Sequence, residues 1–364
     1  MKLIDKYLLR TLFVPLAYCL LSFILLYVVF DLFNHMGDFM EAQTPATQVI
    51  RFYIYLVPSV LFIIAPISLL LAVLYALSTL TKNNELTAMR ASGISILRLM
   101  GPFIIVGLLS SLAVGVIYET IAPQSAYWTH VFLRSEKKKD DVSVHLASML
   151  GFVNDPANRD WLIGEFDTRS AEMRNITVTQ TRPDGTKEQT QARQGNWLDG
   201  RWWFLEVVRQ EYDHEGNPRG RVQFDARREM REFNETPADF LNEIKDPLEN
   251  PDYVTSNEIL KFIETHRLSP EARARLMVNF HNRLAMPWTC LIVTLIGIPF
   301  GAQSGRKGAF IGILSAILLF FAFFFLMQVS TALGKKQVIE PILAAWLPNA
   351  LFFSLSLILI HRMR

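Results

Sequence analysis

Apolar residues run in long unbroken stretches at both ends of this chain and in short alternating stretches between them. Bounded by their nearest charges, six stretches reach the roughly 20 largely uncharged residues that a helix needs to cross a bilayer. They are 11–30, 52–81, 99–118, 284–305, 308–334 and, once Glu340 trims its outer end, 341–360. They predict six transmembrane helices, because buried helices of a soluble core rarely stay uncharged this long. Pro15, Pro58, Pro66, Pro102, Pro287, Pro299 and Pro348 fall inside them, which is tolerated where neighbours satisfy the freed carbonyls. They read either as packing kinks or as bends needed for motion. Phe320, Phe321, Phe323, Phe324 and Phe325 occupy every face of the fifth span; Phe320 and Phe324 are candidates for a lipid cavity, with plain bilayer exposure the alternative.

The middle of the chain has a different period. Alternation over 160–166, 175–181 and 201–208, separated by Pro183-Asp184-Gly185, Asp199-Gly200 and 215–218, predicts strands joined by tight turns. Such spacing suits an antiparallel sandwich or jelly roll. The helical period returns at Thr255-Ser256-Asn257-Glu258, a capping-box spacing followed by Ile259, Leu260, Phe262 and Ile263. A second helix is expected from Ser269-Pro270 and carries Arg273, Arg275, His281 and Arg283. These cations fit snorkelling at the interface, with lipid headgroups the sharper alternative. The expected organisation is 1–123 for the first three spans, 124–254 for the β domain, 255–283 for a helical connector and 284–364 for the last three spans.

Charge sets the direction. Hydrophobic residues make up 51% and charged residues 19%, and the net charge of +2 hides an uneven distribution. One set of short loops and ends holds Lys2, Lys6, Arg10, Lys82, Arg90, Arg98, Arg306, Lys307, Arg362 and Arg364. The opposite short loops hold Arg51, Lys335 and Lys336 beside Asp31, Asp38 and Glu41. The positive-inside rule then puts both termini in the cytoplasm and the β domain outside. The first span is too long for a cleaved signal peptide and lacks a small-x-small site after it, so it is expected to stay as an anchor.

The chemistry of a stand-alone enzyme is missing from the pattern. There is no His-Glu-x-x-His and no Gly-x-Ser-x-Gly, and the seven histidines lack metal-ligand spacing. Gly301-Ala-Gln-Ser-Gly305-Arg-Lys307 departs from a phosphate loop, because its second glycine comes one place early and no Ser or Thr follows the lysine. The spans hold no buried acid and base pairs of the kind that relay protons. Cys19 and Cys290 lie in apolar stretches and read as small hydrophobes. No bound cofactor, metal or nucleic acid is expected, and any nucleotide energy must come from another chain.

The loop 82–95 is the informative exception. It reads as a short helix from about Asn84 to Ala91, stopped by Gly93, with Leu86, Met89 and Arg90 near one face. Either this helix shows Leu86 and Met89, with Glu85 alongside, to a partner's groove, or it rests on the membrane as an amphipathic turn.

Asn84-Glu85-Leu-Thr-Ala-Met-Arg-Ala-Ser-Gly93 resembles the coupling-helix motif of the LptF/LptG permease family. Asp5-Lys-Tyr-Leu-Leu-Arg10, the Pro66 region, Thr255-Ser-Asn-Glu-Ile-Leu260 and His281-Asn-Arg-Leu-Ala-Met-Pro287 match that family in order. So does the layout of three helices, a periplasmic β domain and three helices. The resemblance implies a multi-pass subunit of the bacterial inner membrane within a lipopolysaccharide-exporting ABC transporter. It would pair with a second LptF/LptG-type permease, bind an LptB-type ATPase dimer that holds the ATP, and pass lipid through periplasmic jelly rolls to LptC- and LptA-type proteins. It also implies that Glu85, Leu86, Met89, Arg90 and Gly93 form the ATPase contact. Where LptG members often carry basic residues at the outer end of the first span, this chain reads Phe30-Asp31-Leu-Phe-Asn-His-Met-Gly-Asp38. Arg51 and Arg134 are the substitute candidates for lipid headgroups. The alternative to a lipid carrier is an ABC-linked mechanotransmission or scaffold subunit.

Overall fold

The computed structural model describes residues 3–137, 146–214, 217–302 and 306–362. The chain forms two compact units, Met1–Thr129 with Pro270–Arg364, and His130–Ser269. The divisions therefore fall at 129/130 and 269/270, and the helix after the Thr255 cap belongs with the strands.

The first unit is helical. Its main elements are α1 (Leu3–Glu41), α2 (Ala46–Lys82), the short α3 (Glu85–Ala91), α4 (Ile96–Thr120), α8 (Pro270–Ala285), α9 (Thr289–Gly301), α10 (Arg306–Lys335) and α11 (Pro341–His361), and α5 (Ala122–Lys137) follows α4. Among the described residues, six spans here are long and apolar enough to cross a membrane. Lipid offers backbone groups no hydrogen bonds, so apolar runs of this length must satisfy themselves as helices. At 39 residues α1 extends over roughly 58 Å, well beyond a hydrocarbon core of about 30 Å.

The centre of the unit is the packing of α2 on α9. Ala72, Val73, Ala76 and Leu77 of α2, with Cys290 and Ile298 of α9, have no exposed surface. A Cβ on Gly297 would stand 3.0 Å from Val73 Cγ1, and one on Gly301 2.9 Å from Leu77 Cβ, so small residues set how closely these helices approach. The fourth span is broken. A 3-10 turn at Met286–Trp288 separates α8 from α9, because Pro287 has no N–H and its ring obstructs the preceding turn. Neighbouring helices mend the break: Asn349 Nδ2 of α11 donates to the Ala285 carbonyl at 2.8 Å, and the Leu291 N–H donates to Ser111 Oγ of α4 at 3.0 Å.

The second unit holds a six-stranded antiparallel sheet in the order β1-β2-β3-β4-β5-β6. The strands are β1 (Leu146–Asn154), β2 (Arg159–Asp167), β3 (Met173–Thr181), β4 (Lys187–Leu198), β5 (Arg201–Tyr212) and β6 (Pro218–Met230). The all-β, antiparallel expectation is met, and the alternating runs lie inside β2, β3 and β5. The strands pair in chain order as a meander; the long crossovers of a jelly roll are absent among the described residues. Asp199 and Gly200 both take positive φ, 52° and 75°, the backbone that a two-residue hairpin between β4 and β5 requires. One face of the sheet buries Trp161, Ile163, Phe166, Ile176, Trp202 and Phe204.

That face is closed by a segment that the sequence reading did not predict. Helix α6 (Pro237–Lys245) lays Phe240 against Phe152, Trp161 and Trp202, with ring centroids 5.0, 5.0 and 5.9 Å apart. It starts at its own capping box, with the Thr236 N–H donating to Asp239 Oδ2 at 2.8 Å. The Thr255 box is present as expected: its N–H donates to Glu258 Oε2 at 2.6 Å, opening α7 (Ser256–Thr265).

At the end of α7, His266 is held between rings and charge. It stacks on Phe262 at 4.1 Å, its Nδ1 faces the Phe262 carbonyl at 3.1 Å, and its Nε2 lies 3.2 Å from Glu243 Oε2 of α6. Burial opposes the charged imidazolium, but Glu243, the Phe262 carbonyl and Asp155 outweigh it and raise the pKa above the ordinary 6.5. A raised histidine stabilises the fold fully below its unfolded pKa of about 6.5, and that contribution fades as pH climbs through the folded value. Glu258 lies below its ordinary range: burial works against its ionised form, but Lys245 and the Thr255 cap prevail. Its contribution is lost only on acidification, in a separate window. Hydrogen exchange in α6 and α7 should therefore speed up from about pH 6 to pH 8 after correction for intrinsic rates. His266→Gln should remove that dependence.

Candidate functional site

The connection between α2 and α4 is built from the residues that the sequence singled out. Asn84 takes φ 57°, a left-handed conformation that short polar side chains tolerate, and turns the chain sharply out of α2. Helix α3 then makes two turns and stops. The Gly93 N–H donates to the Arg90 carbonyl at 3.0 Å and the Ile94 N–H to the Met89 carbonyl at 3.3 Å. With Gly93 at φ 86°, this is a full Schellman termination, the role its glycine suggested.

Leu86 and Glu85 fix α3 to the bundle, and an ion pair beside it ties α4 to α1. Leu86 is 5% exposed and belongs to the core with Leu80, Ile96 and Leu99. Glu85 receives Tyr7 Oη of α1 at 2.6 Å on Oε2 and Asn83 Nδ2 at 3.2 Å on Oε1. Arg98 Nη2 of α4 lies 3.4 Å from Asp5 Oδ2 of α1, beside the same loop. The display of Leu86 and Met89 to a partner is not what the structure has. Leu86 points into the bundle and Met89 is half-buried against it, because they continue the apolar stripe that meets α2 and α4. Thr87, Ala88, Arg90 and Ala91 form the exposed face instead. Tyr7 and Asn83, to which the sequence reading gave no role of their own, hold Glu85. Tyr7 is 78 positions away, so nothing local signals the pairing.

The other candidates separate. Arg51 is exposed at the start of α2, its guanidinium 5.8 Å from the Tyr55 ring and 5.7 Å from the Trp128 ring, and those two rings stack at 4.5 Å. Its cation thus rests on an aromatic shelf and stays open. The side chain of Arg134 lies outside the described residues, as do those of Arg306 and Lys307. Phe320 is 6% exposed among Leu70, Leu74, Val293 and Ala316, and its ring lies 4.7 Å from that of Phe324. Both therefore sit in a packed seam rather than on a cavity wall. The outward surface of α10 is carried by Phe321 and Phe325.

Arg283 departs furthest from expectation. It neither snorkels nor meets headgroups: it is buried, its Nη2 donates to the Tyr118 carbonyl of α4 at 2.7 Å, and its Cζ lies 4.4 Å above the Tyr118 ring. Asp31, in the C-terminal part of α1, faces His35 Nδ1 at 3.3 Å.

Among the described residues, six apolar helices, an inserted β unit and a capped intervening helix define a multi-pass membrane protein. The sequence model of the family described as "Lipopolysaccharide export system permease LptF/LptG" matches residues 6–362. The chain belongs to this family. The lipopolysaccharide export system permease proteins LptF of Escherichia coli K12 and of Shigella flexneri are each 24% identical to it over 371 residues, covering 98% of this chain and 94% of theirs.

Proposed function

We propose that this chain is one of two permease halves of an ABC transporter that extracts lipopolysaccharide from the bacterial inner membrane and hands it to a periplasmic bridge. The named relatives favour the LptF half of that pair. In this reading the termini and α3 are cytoplasmic and the β unit is periplasmic, as the Lys and Arg bias of the short loops requires. An LptB-type ATPase dimer seats on α3 and supplies the ATP chemistry, and LptC- and LptA-type proteins receive the lipid.

The observation that carries the proposal is the way α3 is attached. A two-turn helix is marginal alone, yet this one is stopped by a Schellman motif, anchored by Leu86 and braced by Tyr7 through Glu85. A push on its exposed face is thereby delivered to α1, α2 and α4 together, as energy coupling between chains demands. Thr87, Ala88, Arg90 and Ala91 would touch the ATPase, and Glu85 and Leu86 would hold the helix in place.

Co-purification from membranes in mild detergent tests this. Ala88→Glu adds a charge on the exposed face and keeps the helix, so it should remove the ATPase and leave the two permeases paired. Leu86→Ala opens the core beneath the helix at a cost of about 2–5 kcal/mol. It should weaken ATPase binding and also lower the melting temperature of the permease. Retention of the ATPase by Ala88→Glu would refute the docking face. An intact ATPase complex that never carries lipopolysaccharide would favour the mechanotransmission reading.

A further inference from the structure

The break between α8 and α9 leaves two buried polar atoms without a hydrogen bond. Thr289 is 1% exposed and Asn349 4%, and neither Thr289 Oγ1 nor Asn349 Oδ1 has a partner among the described residues. Buried polar groups are nearly always paired, so an orphan calls for a cause. Both residues compete for one group, the Ala285 carbonyl. Buried hydroxyls elsewhere in the spans donate to the carbonyl four residues back: Ser68 to Ile64 at 2.9 Å, Thr294 to Cys290 at 2.8 Å and Ser356 to Phe352 at 2.6 Å. For Thr289 that carbonyl is Ala285, and Asn349 Nδ2 holds it instead. The Thr289 N–H is diverted too, to the Met286 carbonyl of the 3-10 turn.

One carbonyl thus has two alternative sets of donors. In the structure Asn349 takes it and residues 286–288 stay 3-10. In the other arrangement the Thr289 N–H and hydroxyl take it, the turn winds into α-helix, and the Asn349 amide lets go. Each arrangement satisfies the Ala285 carbonyl, and neither needs the N–H that Pro287 lacks. A 3-10 stretch inside a longer helix often marks a hinge. The two sides of this one are fixed to different neighbours. Helix α9 is locked on α2 through Gly297 and Gly301, whereas α8 is tied to α10 by Asn282 Nδ2 on Thr331 Oγ1 at 3.1 Å and to α4 by Arg283. We infer that the fourth span is a two-state joint at Met286–Trp288, with Asn349 as its clasp, about which α8 swings against the α2–α9 block. Helix α8 has 16 residues, roughly 24 Å, so a proline kink of ~20° carries its far end by roughly 8 Å. Only what drives the swing, nucleotide bound by a partner ATPase, rests on the function proposed above.

Electron–electron double resonance on the whole permease assembly in nanodiscs tests the joint. Nitroxides are placed by Arg275→Cys on α8 and Tyr75→Cys on α2, both exposed positions, in a chain carrying Cys19→Ser; Cys290 has no exposed surface. Without nucleotide the labelled parent should show one major distance and a minor one several ångströms away. Asn349→Leu, which keeps the bulk of the side chain, should enlarge the minor population about fivefold, equivalent to ~1 kcal/mol for one hydrogen bond. Thr289→Val, which removes a hydroxyl and keeps the shape, should abolish it. Trapping the ATPase with nucleotide should enlarge it in the parent. A single distance in all three chains would overturn the inference. So would a shift in the same direction by both substitutions, since that is loosening rather than an exchange of donors. If the leucine variant fails to assemble, Thr289→Val decides alone: a minor population that it leaves unchanged overturns the inference. A joint that answers to both substitutions but not to nucleotide would stand, and would count against the coupling role proposed for α3.

Discussion

Glu235→Ala should destabilise the β unit by about 3–5 kcal/mol, the usual cost of stranding one member of a buried ion pair. Glu235 and Arg159 are 1% and 4% exposed, with Arg159 Nη1 2.7 Å from Glu235 Oε2. Partners surround the pair on most sides, although the buried Arg159 Nε makes no hydrogen bond. Asn154 Nδ2 donates to Glu235 Oε1 at 2.7 Å, Arg159 Nη2 donates to the Glu232 carbonyl at 2.9 Å, and the guanidinium lies 4.5 Å above the Phe233 ring. Removing the carboxylate leaves a guanidinium where water cannot reach it. Removing both charges does not: Arg159→Met with Glu235→Met should recover most of the loss, because desolvation then falls on neither residue. Thermal unfolding followed by tryptophan fluorescence would read this, since Trp161 and Trp202 lie in the same core. A double variant as unstable as Glu235→Ala would mean that the pair is held for shape rather than for charge balance.

Arg283→Ala is the second large effect, about 2–3 kcal/mol from a lost charged hydrogen bond and an orphaned buried carbonyl. Besides the Tyr118 carbonyl and ring, Arg283 Nε lies 3.5 Å from Glu119 Oε2. It therefore joins α4 to α8, which flank the β unit in the chain. Arg283→Lys should recover little, because an ammonium reproduces neither the planar fork nor the stacking on Tyr118. The check is hydrogen exchange at the carboxyl end of α4, which should rise in both variants. Full protection in the lysine variant would show that charge alone suffices.

The sequence by itself determined the spans and the short helix between α2 and α4. Each rests on a local rule: apolar length for the six spans, a glycine stop at Gly93, and, for the helix after the strands, a cap four residues long at Thr255; which of the seven span prolines breaks its helix was left to the structure, and it is Pro287. The strand runs were legible for the same reason, since alternation is written residue by residue. Helix α6 was also legible, in Thr236-Pro237 with Asp239 three positions after the threonine and Phe240, Leu241 and Ile244 on one face, but strand signals around it masked the change of period.

What only the tertiary structure decided is which side of each element turns inward. Leu86 and Met89 have the pattern of an exposed docking stripe and of a buried one alike; the packing of α2 and α4 settles it. Arg283 looks like an interfacial cation until Tyr118, 165 positions away, supplies a buried carbonyl. Phe320 and Phe321 are the same residue one step apart, and α2 and α9 decide that one is core and the other faces outward. The meander order is likewise a matter of which strand edges meet. Periodicity records how often a side chain faces a surface, whereas the identity of that surface depends on segments brought together from far along the chain.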